Sequence, residues 1–332
     1  MKRFFLYCTC IIIGFFSGCV EVEEFENSTQ GNFEALWKIM DENYCFFEYK
    51  DVDWDQIYLN YKGRLNKNLS QESLFTLLCE MLSELKDGHV NLSSSFDYGR
   101  YWSWYEDFPS NYNEEITKKY LGTDYLIAGG MRYKILNDNV GYIRYTSFSS
   151  KVGETNLDYI IDRLSICSGI IIDVRENGGG YLDMADRIAS RFVNEKTLVG
   201  YIQHKTGKGH NDFSEPIAKY LEPSNRLRYQ KPVIVITNRH CYSATNDFVN
   251  AMTYCPNVKI LGDRTGGGSG LPFSSELPNG WGVRFSACPM YNANMKHLEF
   301  GIEPDIYVEL QENDILEGKD TLIEEARKLL KE

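Results

Sequence analysis

From residue 133 onward, short apolar runs alternate with amphipathic runs, and this alternation constrains the fold of the chain most. The runs GIIIDV (169–174), PVIVIT (232–237) and VKILG (258–262) have the length and the Val and Ile content of buried strands. Amphipathic segments such as YLDMADRIASRFV (181–193) lie between them and predict helices. Strands that alternate with helices predict an α/β core.

The remaining segments predict how the chain is organised around that core. Residues 133–148 predict a β-hairpin that turns at Asn137–Asn139. Residues 32–90 carry three runs with apolar positions three or four residues apart, which predict a small N-terminal helical bundle. Residues 91–132 are rich in Tyr, Ser and Trp without clear periodicity, so we assign them as an irregular link before an α/β core at 133–332.

The composition bounds the class of protein. The chain has 332 residues, of which 43% are hydrophobic, so it can bury a sizeable core. Its net charge is −12 and no basic stripe is visible, which argues against a nucleic-acid partner.

The N-terminus has the pattern of a secretory signal. Met1–Arg3 is cationic, and an apolar run too short to span a membrane follows at residues 4–16. The run ends in Phe-Ser-Gly-Cys19, which resembles a bacterial lipobox. We therefore predict a signal peptide at 1–19, a lipidated Cys19, an acidic tether at 20–31, and anchoring to a bacterial membrane facing the periplasm or the cell exterior. The alternative is an ordinary cleaved signal with an unmodified cysteine.

The other cysteines do not indicate a metal or redox site. No pair has Cys-x-x-Cys spacing, and we predict neither a metal nor a cofactor. Six cysteines would allow 15 disulfide pairings, among which sequence cannot choose, and several lie in apolar runs typical of core residues. The six are Cys45, Cys79, Cys167, Cys241, Cys255 and Cys288.

Ser243 lies where a predicted strand turns into a predicted helix, in VIVITNRHCYSATNDFVNAM (233–252). Two interpretations are open. Serine is a common N-cap residue because its hydroxyl accepts hydrogen bonds from free helix N–H groups. A serine at such a position can also be a nucleophile.

Three other stretches bear on that choice. A glycine loop at 178–180 follows the buried strand GIIIDV, and its uncovered N–H groups suit an anion or an oxyanion. His89, in LKDGHV, could accept a proton from a nearby serine. Glu303, in FGIEPDI, lies in a turn that Pro304 would hold rigid. Each stretch also has an ordinary structural interpretation as a tight turn, a helix-end residue or an acidic turn.

Together these motifs resemble the S41 serine peptidases, the family of the C-terminal processing proteases and the tricorn core protease. The resemblance covers residues 33–310 and rests on the order of LKDGH, VGYIRYTSF, GIIIDVRENGGG, TNRHCYSATNDFV, LGDRTGGGSGLP and FGIEPDI. It implies a ClpP/crotonase-like core of repeated ββα units. It also implies that Ser243 is the nucleophile, that His89 is its base and that Glu303 orients the histidine. The N–H groups of Gly179 and Ala244 would form the oxyanion hole.

One departure from the family pattern is informative. The C-terminal processing branch has a lysine about two dozen residues after the nucleophile, and Gly268 takes that place here. A Ser–Lys mechanism is therefore not expected, and the tricorn-like branch, which uses a histidine, is the better match. An unperturbed histidine titrates near 6.5, so activity is expected to rise with a pKa of about 6–7.

The predicted function is a lipid-anchored serine peptidase that hydrolyses extracytoplasmic peptides or proteins. The alternative is a non-catalytic or weakly esterolytic protein that binds an apolar or peptide ligand on the same scaffold, with the aromatic segment 98–125 as its groove. The sequence CYSAT around Ser243 differs from the Gly-x-Ser-x-Gly elbow, which disfavours an α/β-hydrolase.

Overall fold

A computed structural model gives the structure of the chain and describes residues 24–331 apart from 102 and 107. Cys19 and the predicted signal peptide lie outside the described residues. No helix within the described part is both long and apolar enough to cross a bilayer.

Nine α-helices are present among the described residues. The sequence explains the starts of the early ones, because Asp53 and Ser70 each accept a hydrogen bond from a backbone N–H in the first turn of the helix that follows. The helices are α1 (Thr29–Asn43), α2 (Trp54–Lys62), α3 (Gln71–Ser83), α4 (Glu114–Leu121), α5 (Glu154–Leu164), α6 (Leu182–Ala189), α7 (Ala244–Thr253), α8 (Glu312–Leu316) and α9 (Thr321–Leu329).

A mixed seven-stranded sheet forms the centre of the molecule, and it confirms the predicted α/β core. Its order is β14-β10-β9-β6-β5-β4-β3, parallel from β14 to β5 and antiparallel at β4 and β3. The predicted hairpin is present as β4 and β5. The strands are β3 (Leu126–Ala128), β4 (Met131–Ile135), β5 (Gly141–Tyr145), β6 (Ile170–Asp173), β9 (Val233–Thr237), β10 (Val258–Gly262) and β14 (Ile306–Tyr307).

Two smaller antiparallel sheets lie beside the main sheet. One has the order β11-β12-β1-β2 and the other has the order β13-β7-β8. Their strands are β1 (Asn91–Ser93), β2 (Tyr98–Arg100), β7 (Thr197–Ile202), β8 (Ile217–Leu221), β11 (Pro272–Glu276), β12 (Gly282–Ser286) and β13 (Met290–Asn292).

The N-terminal helices share their core with the four-stranded sheet. Phe33, Leu36 and Leu78 of these helices belong to the same buried cluster as Val283 and Phe285 of β12. The predicted three helices are therefore present, but they bury their apolar faces together with strands that follow some 200 residues later in the chain.

Residues 91–132 are more regular than the sequence predicted. Apart from positions 102 and 107, this segment contains β1, β2, a short 3₁₀ helix (Ser103–Tyr105), α4 and β3. Its strands contain only three residues each, which is too short to leave a periodic pattern in the sequence. Trp104 stacks on Tyr242 with ring centroids 4.3 Å apart, so part of this aromatic segment packs inside the fold.

The cysteines within the described part are all free thiols. Five of the six are buried, as expected for small core residues, and Cys79 is partly exposed.

Candidate active site

The turn before α7 holds Ser243 in a strained conformation. Ser243 has φ of 59°, in the left-handed region that non-glycine residues seldom adopt. The backbone N–H of Ser243 donates to the Gly267 carbonyl at 2.8 Å, and that of Tyr242 donates to the Asn177 carbonyl at 3.1 Å. Two loops therefore fix the turn, and such over-determined strain is typical of functional positions.

Ser243 occupies the N-cap position of α7 without acting as a side-chain cap. Its Oγ instead lies 3.0 Å from Nε2 of His89, which follows α3 and precedes β1. The Ser243 hydroxyl is thus directed to an imidazole and does not cap the free N–H groups of the helix.

The other ring nitrogen of His89 identifies the tautomer. Nδ1 lies 3.2 Å from the carbonyl oxygen of Ser269, which can only accept a hydrogen bond. In the neutral ring Nδ1 must therefore carry the proton, and the lone pair of Nε2 faces the Ser243 hydroxyl. This is the tautomer that a general base at Nε2 requires.

His89 is neutral at physiological pH. Its side chain is buried, and burial lowers its pKa to about 4, although the nearby Asp87 carboxylate opposes the shift. This value corrects the expectation of a pKa near 6–7, which assumed an imidazole in water.

A buried ionic cluster of Lys50, Asp87 and Glu299 lies next to His89. Asp87 Oδ1 accepts the backbone N–H of His89 at 2.8 Å, and Asp87 Oδ2 lies 3.4 Å from the Lys50 ammonium. The same ammonium lies 2.7 Å from Glu299, whose other oxygen is 3.5 Å from Ser269 Oγ. The cluster therefore links the two backbone segments that hold His89.

The charges of this cluster balance when one carboxyl is protonated. Burial raises the pKa of Glu299 to about 8 despite the Lys50 ammonium. Burial also acts to raise the pKa of Asp87, but Lys50, His89 and hydrogen bonds together hold that pKa below its usual value. At neutral pH the cluster then contains Lys50⁺, Asp87⁻ and neutral Glu299. A net buried charge would be costly, which favours this distribution.

Glu303, the predicted orienting acid, is not brought to His89. Its side chain is 72% exposed and lies 3.5 Å from the Arg264 guanidinium. The chain runs from Glu299 in the cluster to β14 at the edge of the main sheet, and Glu303 lies on the outer part of this connection. We therefore correct the expectation: the Ser269 carbonyl takes the place at Nδ1 that Glu303 was predicted to fill.

The glycine loop lies against the nucleophile turn, but the Gly179 N–H is already used. It donates to Asn177 Oδ1 at 3.0 Å, which corrects its predicted role as an oxyanion donor in this conformation. Gly180, the next residue, lines the cavity beside Ser243. The Ala244 N–H is the first in α7, where backbone donors have no partner within the helix.

Gly268 has no room for the lysine of the related branch. Its φ is 73°, and a β-carbon there would lie 2.2 Å from the ring of Tyr242. Lys259, on β10, is exposed, and Lys50 is tied to Glu299 and Asp87. In the described structure the imidazole of His89 is the basic group bonded to the Ser243 hydroxyl.

A cavity of about 260 Å³ opens at Ser243. Its walls come from the glycine loop, the start of α7, the loop 264–271 and strands β11, β12 and β13. No group of three or more His, Cys, Asp or Glu side chains suited to a metal ion occurs among the described residues.

Sequence reasoning missed the supporting cluster. Asp87 lies within the LKDGH motif and Glu299 directly precedes FGIEPDI, so these two motifs were the signal that could have found both residues. Lys50 gave no signal, because nothing in its neighbourhood in the sequence indicates a contact with a residue 249 positions away.

A strained serine at a helix N-terminus, bonded to a neutral histidine, is the arrangement found in serine hydrolases. Comparison with known families agrees. Residues 139–308 match the model of peptidase family S41, and residues 25–83 match the C1 domain of tricorn protease. The chain belongs to peptidase family S41.

Individual relatives support the same assignment. A crystal structure of a candidate peptidase from Parabacteroides merdae is 60% identical, covers 92% of this chain and 97% of its own, and superposes with a TM-score of 0.88. Mature CPAF shares the fold, with a TM-score of 0.69 at 14% identity over 92% of this chain and 96% of its own. The carboxy-terminal processing protease CtpA of Bacillus subtilis is 24% identical over 177 residues, which are 52% of this chain and 36% of CtpA. The matched part of the chain spans between about a fifth and a half of the length of its curated relatives.

Proposed function

We propose that Ser243 and His89 hydrolyse peptide bonds by acyl transfer. The observation that carries this proposal is the 3.0 Å contact between His89 Nε2 and Ser243 Oγ at a strained strand-to-helix turn. His89 Nε2 accepts the hydroxyl proton as Oγ attacks the scissile carbonyl carbon. The same proton is then donated to the leaving amine, and a water molecule deprotonated by His89 cleaves the acyl-enzyme.

The oxyanion would lie against the start of α7. The Ala244 N–H is one donor in this proposal, and the positive end of the helix dipole supports it. Gly180, which lines the cavity, supplies the second donor in place of Gly179. Asp87 lies close enough to stabilise the imidazolium that forms at His89, because its charge already favours the protonated ring.

The active-site proposal is tested with a serine-directed phosphonate probe. The wild-type protein is expected to be labelled at Ser243, as mapped by peptide mass spectrometry, and Ser243→Ala is expected to lose both labelling and peptide cleavage. Ser274→Ala, an exposed serine on neighbouring β11, is the matched control and should behave as wild type. A well-folded protein that resists the probe and cleaves no peptide library would favour the alternative, a ligand-binding protein on this scaffold.

We also propose that the protein acts outside the cytoplasm, anchored by lipid on Cys19. The support is the sequence pattern alone: a cationic start, a short apolar run and Ser-Gly-Cys at its end. Acyl chains on this residue would hold the protein to the membrane, since each buried methylene contributes roughly 0.8 kcal/mol. Mass spectrometry of the mature N-terminus should find an acylated Cys19, and Cys19→Ala should leave the membrane fraction. An unmodified mature N-terminus at another residue would contradict the anchor.

A further inference from the structure

The cavity at Ser243 combines an apolar wall with one exposed cation. Leu271, Pro272, Met290 and Leu298 supply apolar surface, and Arg284 of β12 supplies a guanidinium. Polar and charged groups in a largely apolar pocket commonly determine which ligands it accepts.

The register of the four-stranded sheet places Arg284 next to the catalytic pair. Arg284 lies directly opposite Asn91 of β1, two residues after His89. Its neighbours on β12, Val283 and Phe285, are buried on the opposite face, so the alternation of the strand turns Arg284 outward. The guanidinium is close enough to act on the imidazole electrostatically, since its charge adds to the effect of burial in disfavouring protonated His89.

The charge of Arg284 is not compensated within the described structure. Among residues 24–331 apart from 102 and 107, no carboxylate lies within 4.0 Å of its guanidinium. The cavity also contains the Asp247 carboxylate, which pairs with the Lys219 ammonium, and that ammonium pairs with Asp186 as well. A substrate entering the cavity therefore meets, beside Ser243, a guanidinium that has no carboxylate partner among the described residues.

We propose that Arg284 is a specificity-determining residue that selects substrates carrying a carboxylate close to the scissile bond. This inference rests on the proposed peptidase function and names its substrate class. The carboxylate can come from a Glu or Asp side chain or from the free C-terminus of the peptide, because a guanidinium binds either one through paired N–H donors. The apolar wall would pack against the aliphatic part of the same residue.

Binding to an inactive enzyme tests the inference independently of catalysis. Fluorescent peptides are titrated against Ser243→Ala and against the Ser243→Ala/Arg284→Gln double variant. One peptide pair differs by Glu against Gln at each position near the cleavage site, and a second pair differs by a free against an amidated C-terminus. Arg100→Gln in the same Ser243→Ala background is the matched control. Arg100 lies on β2 and pairs with Asn91 on the other side of β1, but it does not line the cavity.

In one of the two kinds of peptide pair, we expect Ser243→Ala to bind the carboxylate-containing peptide about tenfold more tightly than its neutral partner. Arg284→Gln should reduce that ratio to near one, whereas Arg100→Gln should keep it. The pair that shows the preference identifies the source, side chain or C-terminus. Arg284→Glu should reverse the preference toward a Lys-containing peptide, which loss of folding could not do.

Kinetics on the active enzyme separate this inference from the proposed function. With wild type, the same ratio should appear in kcat/KM, and Arg284→Gln should reduce that ratio to near one. Equal binding of charged and neutral peptides, or a preference that survives Arg284→Gln, overturns the role of Arg284 even when Ser243 is labelled and active. Absence of labelling and cleavage overturns the peptidase proposal instead, while the binding ratio still decides whether Arg284 selects carboxylates.

Discussion

The two halves of the proposed catalytic pair, Ser243 and His89, are built in different ways. The nucleophile side, residues 169–189 and 233–253, consists of two parallel strands of the main sheet, each followed by a loop and a helix. The base side, residues 44–50, 85–91 and 269–299, is assembled from three distant segments around Lys50, Asp87 and Glu299. The nucleophile side is thus held by local geometry, whereas the base side is held by buried charges.

Each half is therefore vulnerable to a different kind of substitution. Steric changes should damage the nucleophile side, because its turn has positive φ and close backbone contacts. Changes in charge should damage the base side, because its cluster loses balance when one member is removed.

The largest effect is expected from the pair itself. His89→Ala should reduce kcat/KM on a peptide by at least about 10³-fold, approaching the loss in Ser243→Ala. The double variant should be little worse than either single variant, because the two side chains act as one unit. Steady-state kinetics of the three proteins measure this, and near-normal kcat in His89→Ala would remove His89 from the mechanism.

The steric character of the nucleophile side is tested at the glycine loop. Gly179 has φ of 101°, and a β-carbon there would lie 2.8 Å from Ser243 Cβ and 2.9 Å from the Ala244 nitrogen. Gly179→Ala should therefore lower kcat by roughly 10²-fold, since strain and displacement act directly on the nucleophile. Gly178→Ala is the matched control, because a β-carbon at Gly178 meets no atom within 4 Å. Equal activity of the two variants would show that the loop does not position Ser243.

The electrostatic character of the base side is tested at Lys50. Lys50→Met leaves Asp87 and Glu299 without their cation and should lower the free energy of unfolding by about 3–5 kcal/mol. The loss should grow as pH rises, because the folded variant must keep protons on carboxyls that are ionised in the unfolded chain. Lys62→Met removes a half-exposed ammonium 3.4 Å from Glu34 and should cost far less stability than Lys50→Met, because an exposed ion pair is screened by water. Urea unfolding at pH 6 and pH 8 compares them, and equal stabilities would refute the cluster's structural role.

The smallest effects distinguish the two glutamates. Glu299→Gln should reduce kcat on the order of tenfold, because it alters the buried group next to Ser269. Glu303→Gln should change kcat/KM by less than about twofold, as for other exposed side chains. The reverse order would restore Glu303 as the orienting acid that the sequence predicted.

The sequence predicted the nucleophile side better than the base side for a physical reason. Apolar runs such as VIVIT and VKILG specify their strands locally, so the sequence predicts β9, β10 and the turn at Ser243. Lys50 and Glu299 meet only after folding, and no short-range pattern encodes such a contact. The depressed pKa of His89 and the outward position of Glu303 follow from burial and chain direction, which sequence does not give.

In the proposed mechanism a buried, neutral His89 activates Ser243, and the pH dependence of phosphonate labelling at Ser243 measures that activation. Protonation of His89 blocks the base, so the labelling rate should fall as pH drops through about 4 and stay near its maximum from pH 5 to 7. In His89→Ala the rate should be low throughout this range. A wild-type rate that rises only above about pH 9, or labelling of His89→Ala at the wild-type rate, would contradict this mechanism and indicate a lysine or another base.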